Sequence, residues 1–191
     1  MRAMVSIGVV NFGGQYNHLI YRRLIELGVN AVLFNLLTPV DDVIRSFDGI
    51  VVSGGPQNIP EDLPKLGYVV DYVTKYPGPI LGICLGHHII SYVYGGKLGD
   101  GKEFGVTTIY IDDEDDILRG LGPKAKVWES HSRAVIKEPK GFKVLAHSDK
   151  VRVQALANLS KPIYSVQFHP EVTHTERGEL VFINFIRLCR G

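Results

Sequence analysis

Cysteine, net charge and long apolar runs are all scarce in this sequence, and each shortage excludes a class of protein. Two cysteines among 191 residues, Cys84 and Cys189, are too few for a disulfide-stapled secreted scaffold. A net charge of +1 argues against a nucleic-acid binder that depends on bulk electrostatics. No apolar run approaches the roughly 18 residues that cross a bilayer. We therefore expect a reduced, cytoplasmic protein that folds around its own core.

Short apolar runs alternate with amphipathic segments in the first half of the chain. Residues 5–10, 29–34, 49–52 and 79–83 are apolar and rich in β-branched side chains, which is typical of strands buried on both faces. Between the first two runs, apolar residues recur at helical spacing over residues 16–27. Strands that alternate with helices predict right-handed βαβ crossovers and a mostly parallel sheet.

The pattern changes after Gly96. Short apolar runs separated by Gly, Pro and Asp indicate further strands at residues 106–111, 126–128, 134–136, 143–146 and 153–157. A stronger apolar strand follows at residues 163–168, and a helix from about Glu176 closes the chain. The sequence therefore predicts one α/β domain over residues 1–191. Its sheet is expected to be mostly parallel, with helices on both faces and a small antiparallel extension.

The sharpest local pattern is Gly82-Ile83-Cys84-Leu85-Gly86, between a predicted strand and a predicted helix that runs to Tyr94. It has the form of the G-x-S-x-G nucleophile elbow, with Cys in place of Ser. Flanking glycines permit a sharp strand-to-helix turn, and the positive end of the helix favours a thiolate. The alternative is a buried structural cysteine between packing glycines. Cys189 lies in an apolar helix and is expected to belong to the core.

A cysteine nucleophile needs a base, and the base needs a group that orients it. His169 directly follows the predicted strand at residues 163–168, and Glu171 lies two residues further on. A carboxylate at that spacing is close enough to hold the imidazole tautomer and stabilise the imidazolium. His-Pro-Glu alone is a common turn, but with the elbow it fits a Cys-His-Glu arrangement.

Acyl transfer also needs backbone donors aimed at the developing oxyanion. The N–H of Leu85, next to the nucleophile, can supply one donor. Ser53-Gly54-Gly55-Pro56 follows another predicted strand, so the N–H of Gly55 can supply the second. The alternatives for this segment are a plain turn or the opening of an ATP-pyrophosphatase loop. The latter is rejected because Gln57-Asn58 stands where that loop has Asp-Ser.

Histidines and acidic residues also raise the question of a metal site. His87, His88, His131 and His174 show no carboxylate–histidine spacing that supports coordination, so we expect no metal. The acidic run at residues 112–116 lacks the spacing of a calcium loop and is expected to be a solvated turn.

Three of these motifs, taken in order and spacing, resemble the class I (triad) glutamine amidotransferases over essentially the whole chain. They are Ser53-Gly54-Gly55-Pro56, Gly82-Ile83-Cys84-Leu85-Gly86-His87 and Val166-Gln167-Phe168-His169-Pro170-Glu171. The resemblance implies a flavodoxin-like fold, Cys84 as nucleophile, His169 as base, Glu171 as its orienting group, and Gly55 and Leu85 as oxyanion donors. It also implies substrate contacts from Gly54, His88, Ser130 and His131.

Further segments resemble the amidotransferases of GMP synthases. They are Glu103-Phe104-Gly105, Trp128-Glu129-Ser130-His131 and Val172-Thr173-His174-Thr175. The implied reaction is hydrolysis of glutamine to glutamate and ammonia through a Cys84 thioester, with no cofactor. The implied partner is a separate ATP-pyrophosphatase subunit that uses ATP and Mg²⁺ to convert xanthosine monophosphate (XMP) to GMP. The alternatives are a subunit that serves another acceptor, such as anthranilate synthase, or a non-catalytic flavodoxin-like binding module.

Three positions depart from the family pattern. His88 stands where many relatives have a Gln that helps to hold glutamine. Ser132-Arg133 follows the Ser-His pair, where relatives have a segment containing Asp. Gln154 stands where Glu is common, so no role is carried over to it.

Overall fold

The computed structural model of the protein describes residues 3–191, so Met1 and Arg2 of the predicted domain lie outside the described residues. Within the described range there are nine strands and five α-helices. In chain order they are β1 (Ser6–Val10), α1 (Asn17–Glu26), β2 (Asn30–Phe34), α2 (Val40–Ser46), β3 (Gly49–Val52), α3 (Val69–Lys75), β4 (Ile80–Ile83), α4 (Leu85–Val93), β5 (Lys97–Ile111), β6 (Lys124–Lys137), β7 (Phe142–Ser148), β8 (Ala155–Asn158), β9 (Ile163–Val166) and α5 (Glu179–Cys189). None of the helices in residues 3–191 has both the length and the apolar character needed to cross a bilayer.

All nine strands form one sheet, in the order β2-β1-β3-β4-β9-β8-β7-β5-β6. The first five strands in that order pair in parallel. The remaining pairings, from β9–β8 to β5–β6, are antiparallel. The α/β fold with a parallel core and an antiparallel extension is therefore confirmed.

Both faces of the parallel half are covered by helices, which explains its continuous apolar runs. Along β1, Val9 faces a core shared with α1 and α5, whereas Val10 faces a second core shared with α2, α3 and α4. Because neighbouring side chains of a strand point to opposite faces, a strand buried on both sides has no polar alternation. Burial of each such aliphatic side chain contributes about 1.5–3 kcal/mol.

The antiparallel extension is larger than the sequence indicated. β5 and β6 have 15 and 14 residues, so the predicted strand at 106–111 is only the second half of β5. The two runs predicted at 126–128 and 134–136 belong to the single strand β6. The polar and glycine-rich stretch at residues 97–105 has low strand propensity and is held extended by its pairing with β6. Likewise, the last helix begins at Glu179, three residues after the predicted start.

The parallel strands fix where the functional loops meet. The segments after β1, β3, β4 and β9 all leave the same edge of the sheet, at the carboxyl ends of the strands. Ligands of open α/β sheets bind at this edge. Gly54, Cys84 and His169 follow three adjacent strands, so topology alone brings them together.

We expect Gly86→Ala to reduce the free energy of unfolding. A Cβ at Gly86 would overlap the backbone oxygen of Val52 in β3, against which α4 packs. Overpacking of this kind typically costs about 1–3 kcal/mol, more than the roughly 0.5–1 kcal/mol that alanine gains over glycine within a helix. Urea denaturation would measure the loss, with Tyr92→Ala on the exposed side of α4 as the control. Wild-type stability of Gly86→Ala would contradict the close contact between α4 and β3.

Candidate active site

The loops at the carboxyl edge of the sheet, together with part of the β5–β6 ribbon, enclose a cavity of about 450 Å³. Eight of the nine residues proposed from the sequence line this cavity: Gly54, Gly55, Cys84, Leu85, His88, Ser130, His131 and His169. The ninth, Glu171, is fully buried behind His169. The predicted site residues are therefore brought together in one place.

Cys84 occupies the sharp turn between β4 and α4. Its φ is +54° and its ψ is −99°, a backbone conformation that typically costs about 1–3 kcal/mol for a residue other than glycine. Two hydrogen bonds maintain it: the Cys84 N–H donates to the Val166 carbonyl (2.9 Å), and the Cys84 carbonyl accepts from the His88 N–H (3.1 Å). The turn places the thiol at the amino-terminal end of α4, where the helix dipole favours negative charge. This is the predicted elbow.

The second cysteine has a different environment. Cys189 ends α5, and burial raises the pKa of its thiol to about 12. A thiol of that kind is rarely ionised at neutral pH, which agrees with the packing role expected from the sequence.

His169 is held rigidly beside the thiol. Its backbone N–H donates to the Trp128 carbonyl (3.0 Å), its carbonyl accepts from Thr175 Oγ1 (2.7 Å), and its ring meets Tyr16 edge-on at 4.9 Å. Nδ1 donates to Glu171 Oε1 at 2.5 Å, so Nε2 is the nitrogen left for the cavity. This is the His–Glu contact that the two-residue spacing predicted.

The electrostatics of this pair favour a charged imidazole. Burial alone lowers the pKa of His169, but the Glu171 carboxylate and hydrogen bonding with the Cys84 thiol raise it well above its ordinary value. Glu171 is fully buried, and its Oε2 has no hydrogen-bond partner among residues 3–191. An isolated buried carboxylate would be costly, so the imidazolium compensates its charge. The arrangement can therefore hold an imidazolium beside a thiolate.

Gly54 brings the loop after β3 against both groups. A Cβ at this position would lie 3.3 Å from His169 Cε1 and 3.5 Å from Cys84 Cβ. Because the loop backbone passes so close to the two side chains, a larger residue here would press on both of them.

Two side chains anchor the same loop to the end of β1 and the loop that follows it. Ser53 Oγ donates to the Val10 carbonyl (2.6 Å), and Gln57 Nε2 donates to the Phe12 carbonyl (3.1 Å). Gly55 and Leu85 then line the cavity on either side of Cys84. Their backbone N–H groups are the oxyanion donors that the sequence predicts.

Comparison with known proteins agrees with this geometry. The family model for glutamine amidotransferase class-I matches residues 8–188. The chain belongs to the class I glutamine amidotransferases.

Individual members of the family are similar over almost their whole length. The glutamine-hydrolyzing GMP synthase subunit of Ignicoccus hospitalis is 49% identical, covering 98% of this chain and 100% of the relative. The corresponding subunit of Sulfolobus acidocaldarius is 47% identical, covering 97% of this chain and 100% of the relative. A crystal structure from Thermoplasma acidophilum, also named for a GMP synthase subunit, has a TM-score of 0.93 and 38% identity. It covers 100% of this chain and 96% of its own.

Beside the cavity of this amidotransferase lies a group of ionisable side chains that was not predicted from the sequence. We call Glu103, Glu129 and His131 the acid–histidine cluster. His131 Nε2 lies 3.0 Å from Glu103 Oε1 and 3.1 Å from Glu129 Oε2, and His131 Nδ1 donates to the Arg133 carbonyl (2.7 Å). Both ring nitrogens face acceptors, so both carry protons and the ring is an imidazolium.

The charges of the acid–histidine cluster are only partly balanced. Burial lowers the pKa of His131, but the two carboxylates outweigh it and raise the pKa to about 10. Burial raises the pKa of Glu129. Within the described part of the chain its oxygens make no aligned hydrogen bond, although Oε2 lies 3.1 Å from His131 Nε2. Glu103 is better supported, since Ser148 Oγ (2.6 Å) and Gln154 Nε2 (2.7 Å) also donate to it, and its pKa is lowered despite burial.

The acid–histidine cluster also bears on two expectations from the sequence. Its three ligand atoms lie within 4.8 Å of one another, a spacing that a metal could bridge. The two ion pairs already hold these three side chains at that spacing, so the spacing does not by itself indicate a metal. The two carboxylates occupy Nε2 of His131 and the Arg133 carbonyl occupies Nδ1, which leaves the backbone of His131 as the group that can contact a substrate there. The contact between Glu129 and His131 could have been predicted from the sequence, because alternate residues of a strand point to the same face.

We expect His131→Asn to lower the free energy of unfolding by about 3–5 kcal/mol near pH 6, because two carboxylates would lose their buried cation. The folded-state pKa of about 10 lies above the ordinary 6.5. The stabilisation is therefore complete below pH 6.5 and is lost as the pH rises towards 10. Urea denaturation of both proteins across this range should show the difference shrinking with pH.

The matched control for that series is His147→Asn. His147 pairs with Asp112 at 2.7 Å on the surface, where an ion pair is worth about 0–1 kcal/mol. An equal stability loss for His131→Asn at pH 6 and pH 10 would contradict a charged His131.

Proposed function

We propose that this chain is the glutamine-hydrolysing subunit of a two-subunit GMP synthase and that residues 1–191 act as one amidotransferase domain. The observation that carries the proposal is the meeting of Cys84, His169 and Glu171 at one cavity. The relatives named as glutamine-hydrolyzing GMP synthase subunits support the choice of pathway, because they match over nearly their whole length.

The first half-reaction transfers the glutamyl group to sulfur. The Cys84 thiolate attacks the side-chain amide carbon of glutamine, and the carbonyl oxygen becomes an oxyanion that accepts from the N–H groups of Gly55 and Leu85. The imidazolium of His169 donates its Nε2 proton to the departing nitrogen. The C–N bond breaks, ammonia leaves and a thioester remains. The raised pKa of His169 suits this step, since it keeps the acid form populated at neutral pH.

The second half-reaction releases glutamate. Neutral His169 takes a proton from water, the hydroxide equivalent attacks the thioester carbon, and the C–S bond breaks to restore the Cys84 thiolate and the imidazolium. Glu171 keeps the imidazole oriented in both steps. The side chains of Cys84, His169 and Glu171 supply the nucleophile, the acid–base group and its orienting carboxylate, so this subunit carries out the hydrolysis without a cofactor.

The ammonia is passed to a separate ATP-pyrophosphatase subunit. That partner uses ATP and Mg²⁺ to activate XMP, which ammonia then converts to GMP. The similar proteins are each named as one subunit of GMP synthase, which supports a two-chain arrangement. We expect the pair to work in the cytoplasm, where the thiol of Cys84 stays reduced.

We expect Cys84→Ala to abolish glutamine-dependent GMP formation in the reconstituted pair but to leave synthesis from free ammonia intact. Cys84 acts only in releasing ammonia, which added ammonium salt supplies directly. The measurement is GMP formation from XMP and ATP with either nitrogen source, with Cys189→Ala as the cysteine control. Equal loss of both routes, in a variant that still binds the partner, would contradict a role confined to glutamine hydrolysis.

We expect Glu171→Gln to retain more glutaminase activity than His169→Ala. His169 moves a proton in each half-reaction, and loss of such a group typically costs on the order of 10²–10⁴-fold. Glu171 only orients and stabilises the imidazolium, which water or a backbone carbonyl can do in part. The kcat of both variants would be compared with saturating partner, ATP and XMP. A wild-type kcat for Glu171→Gln would remove Glu171 from the mechanism and leave Cys84 and His169 as a catalytic dyad.

A further inference from the structure

A buried side-chain amide lies against the sulfur of Cys84. Gln167 follows β9 directly and is fully buried. Its Nε2 lies 3.8 Å from Cys84 Sγ, and its Oε1 lies 2.8 Å from His88 Nε2. The amide therefore bridges the thiol and the first turn of α4.

The chemistry of the sulfur decides which way this amide points. A thiolate can only accept hydrogen bonds, so the NH₂ end of Gln167 must face Sγ and the carbonyl end must face His88. The carbonyl oxygen in turn requires a donor, so His88 carries its proton on Nε2. His88 is almost fully buried, which lowers its pKa to about 4 and keeps the ring neutral with a single proton.

We propose that Gln167 is a catalytic residue that donates a hydrogen bond to the Cys84 sulfur, and that His88 is the positioning residue that orients it. The donor stabilises sulfur whenever it carries negative charge. That is the case in the free thiolate before attack and again when sulfur leaves the thioester carbon. No bond is made or broken at Gln167 itself.

The proposal also gives His88 a task different from the one implied by family resemblance. Family members with Gln at this position are expected to use it to hold glutamine. Here the Nε2 proton of the ring is committed to Gln167. A Gln side chain at position 88 also carries an N–H donor, so it can replace this contact.

Alkylation of Cys84 by iodoacetamide tests the proposal. It rests on the proposed nucleophilic role of Cys84, but the assay needs neither glutamine nor a second protein, so failure of the GMP synthase assignment would not affect it. All variants carry Cys189→Ala, so that only Cys84 is labelled. The quantity measured is the ratio of the alkylation rate at pH 6 to the rate at pH 10, which reports the thiolate fraction rather than the accessibility of the sulfur.

Loss of the donor should lower this ratio. Gln167→Leu is expected to reduce it about tenfold, the usual scale for one hydrogen bond to a charged group. Gln167→Glu keeps the shape but places a carboxylate at the sulfur, so its reduction should be larger. His88→Leu should reproduce part of the loss, and His88→Gln should restore most of it because the N–H donor returns.

His87→Leu provides the matched control. His87 is the neighbouring buried histidine on the same helix, and its Nδ1 pairs with Ser165 Oγ at 2.7 Å. The ratio of alkylation rates at pH 6 and pH 10 should be the same in His87→Leu as in the Cys189→Ala parent protein. An unchanged ratio in both Gln167 variants, measured on protein that still alkylates at pH 10, would overturn the proposal. An effect of Gln167→Leu without any effect of His88→Leu would overturn the positioning role of His88.

Discussion

The tight turn from β4 into α4 is the constraint on which the rest of the site depends. With the positive φ of Cys84, the thiol lines the cavity and the helix starts at the next residue. The strain is offset locally by hydrogen bonds to Val166 and within α4, and by the close packing of Gly86 on β3. The parallel sheet then supplies the remaining groups, because the neighbouring strands β3 and β9 end at the same level.

Buried ion pairs between histidines and carboxylates are the second feature on which the site depends. Two histidines are buried against carboxylates near the cavity, His169 against Glu171 and His131 against Glu103 and Glu129. In both cases the carboxylates outweigh the effect of burial and favour the imidazolium. The roles differ because His169 keeps Nε2 free for chemistry, whereas both nitrogens of His131 are occupied. His131 therefore stabilises the strand that carries the Ser130 carbonyl, which lies 3.9 Å from Cys84 Sγ.

The parts of the site that could be predicted from the sequence are those formed by residues close together in the chain. The elbow around Cys84 and the spacing of His169 and Glu171 are short motifs whose geometry follows from a strand end and a turn. The acid–histidine cluster was missed because Glu103 and His131 meet only through the register of β5 and β6. Gln167 was missed for the same reason, since its partners Cys84 and His88 are about 80 positions away in the chain. The full length of the β5–β6 ribbon depends on pairing rather than on propensity, which short apolar runs do not reveal.

The central claim is that the strained cysteine of the elbow is the group that attacks a glutamine side chain. The most direct measurement is mass spectrometry of the protein after treatment with a diazo-ketone analogue of glutamine. The thiolate displaces N₂ from such a reagent and forms a stable thioether. We expect one adduct per chain, on Cys84, with slower formation when excess glutamine is present. An adduct on Cys189 at the same rate, or an unmodified Cys84 in the folded protein, would contradict it.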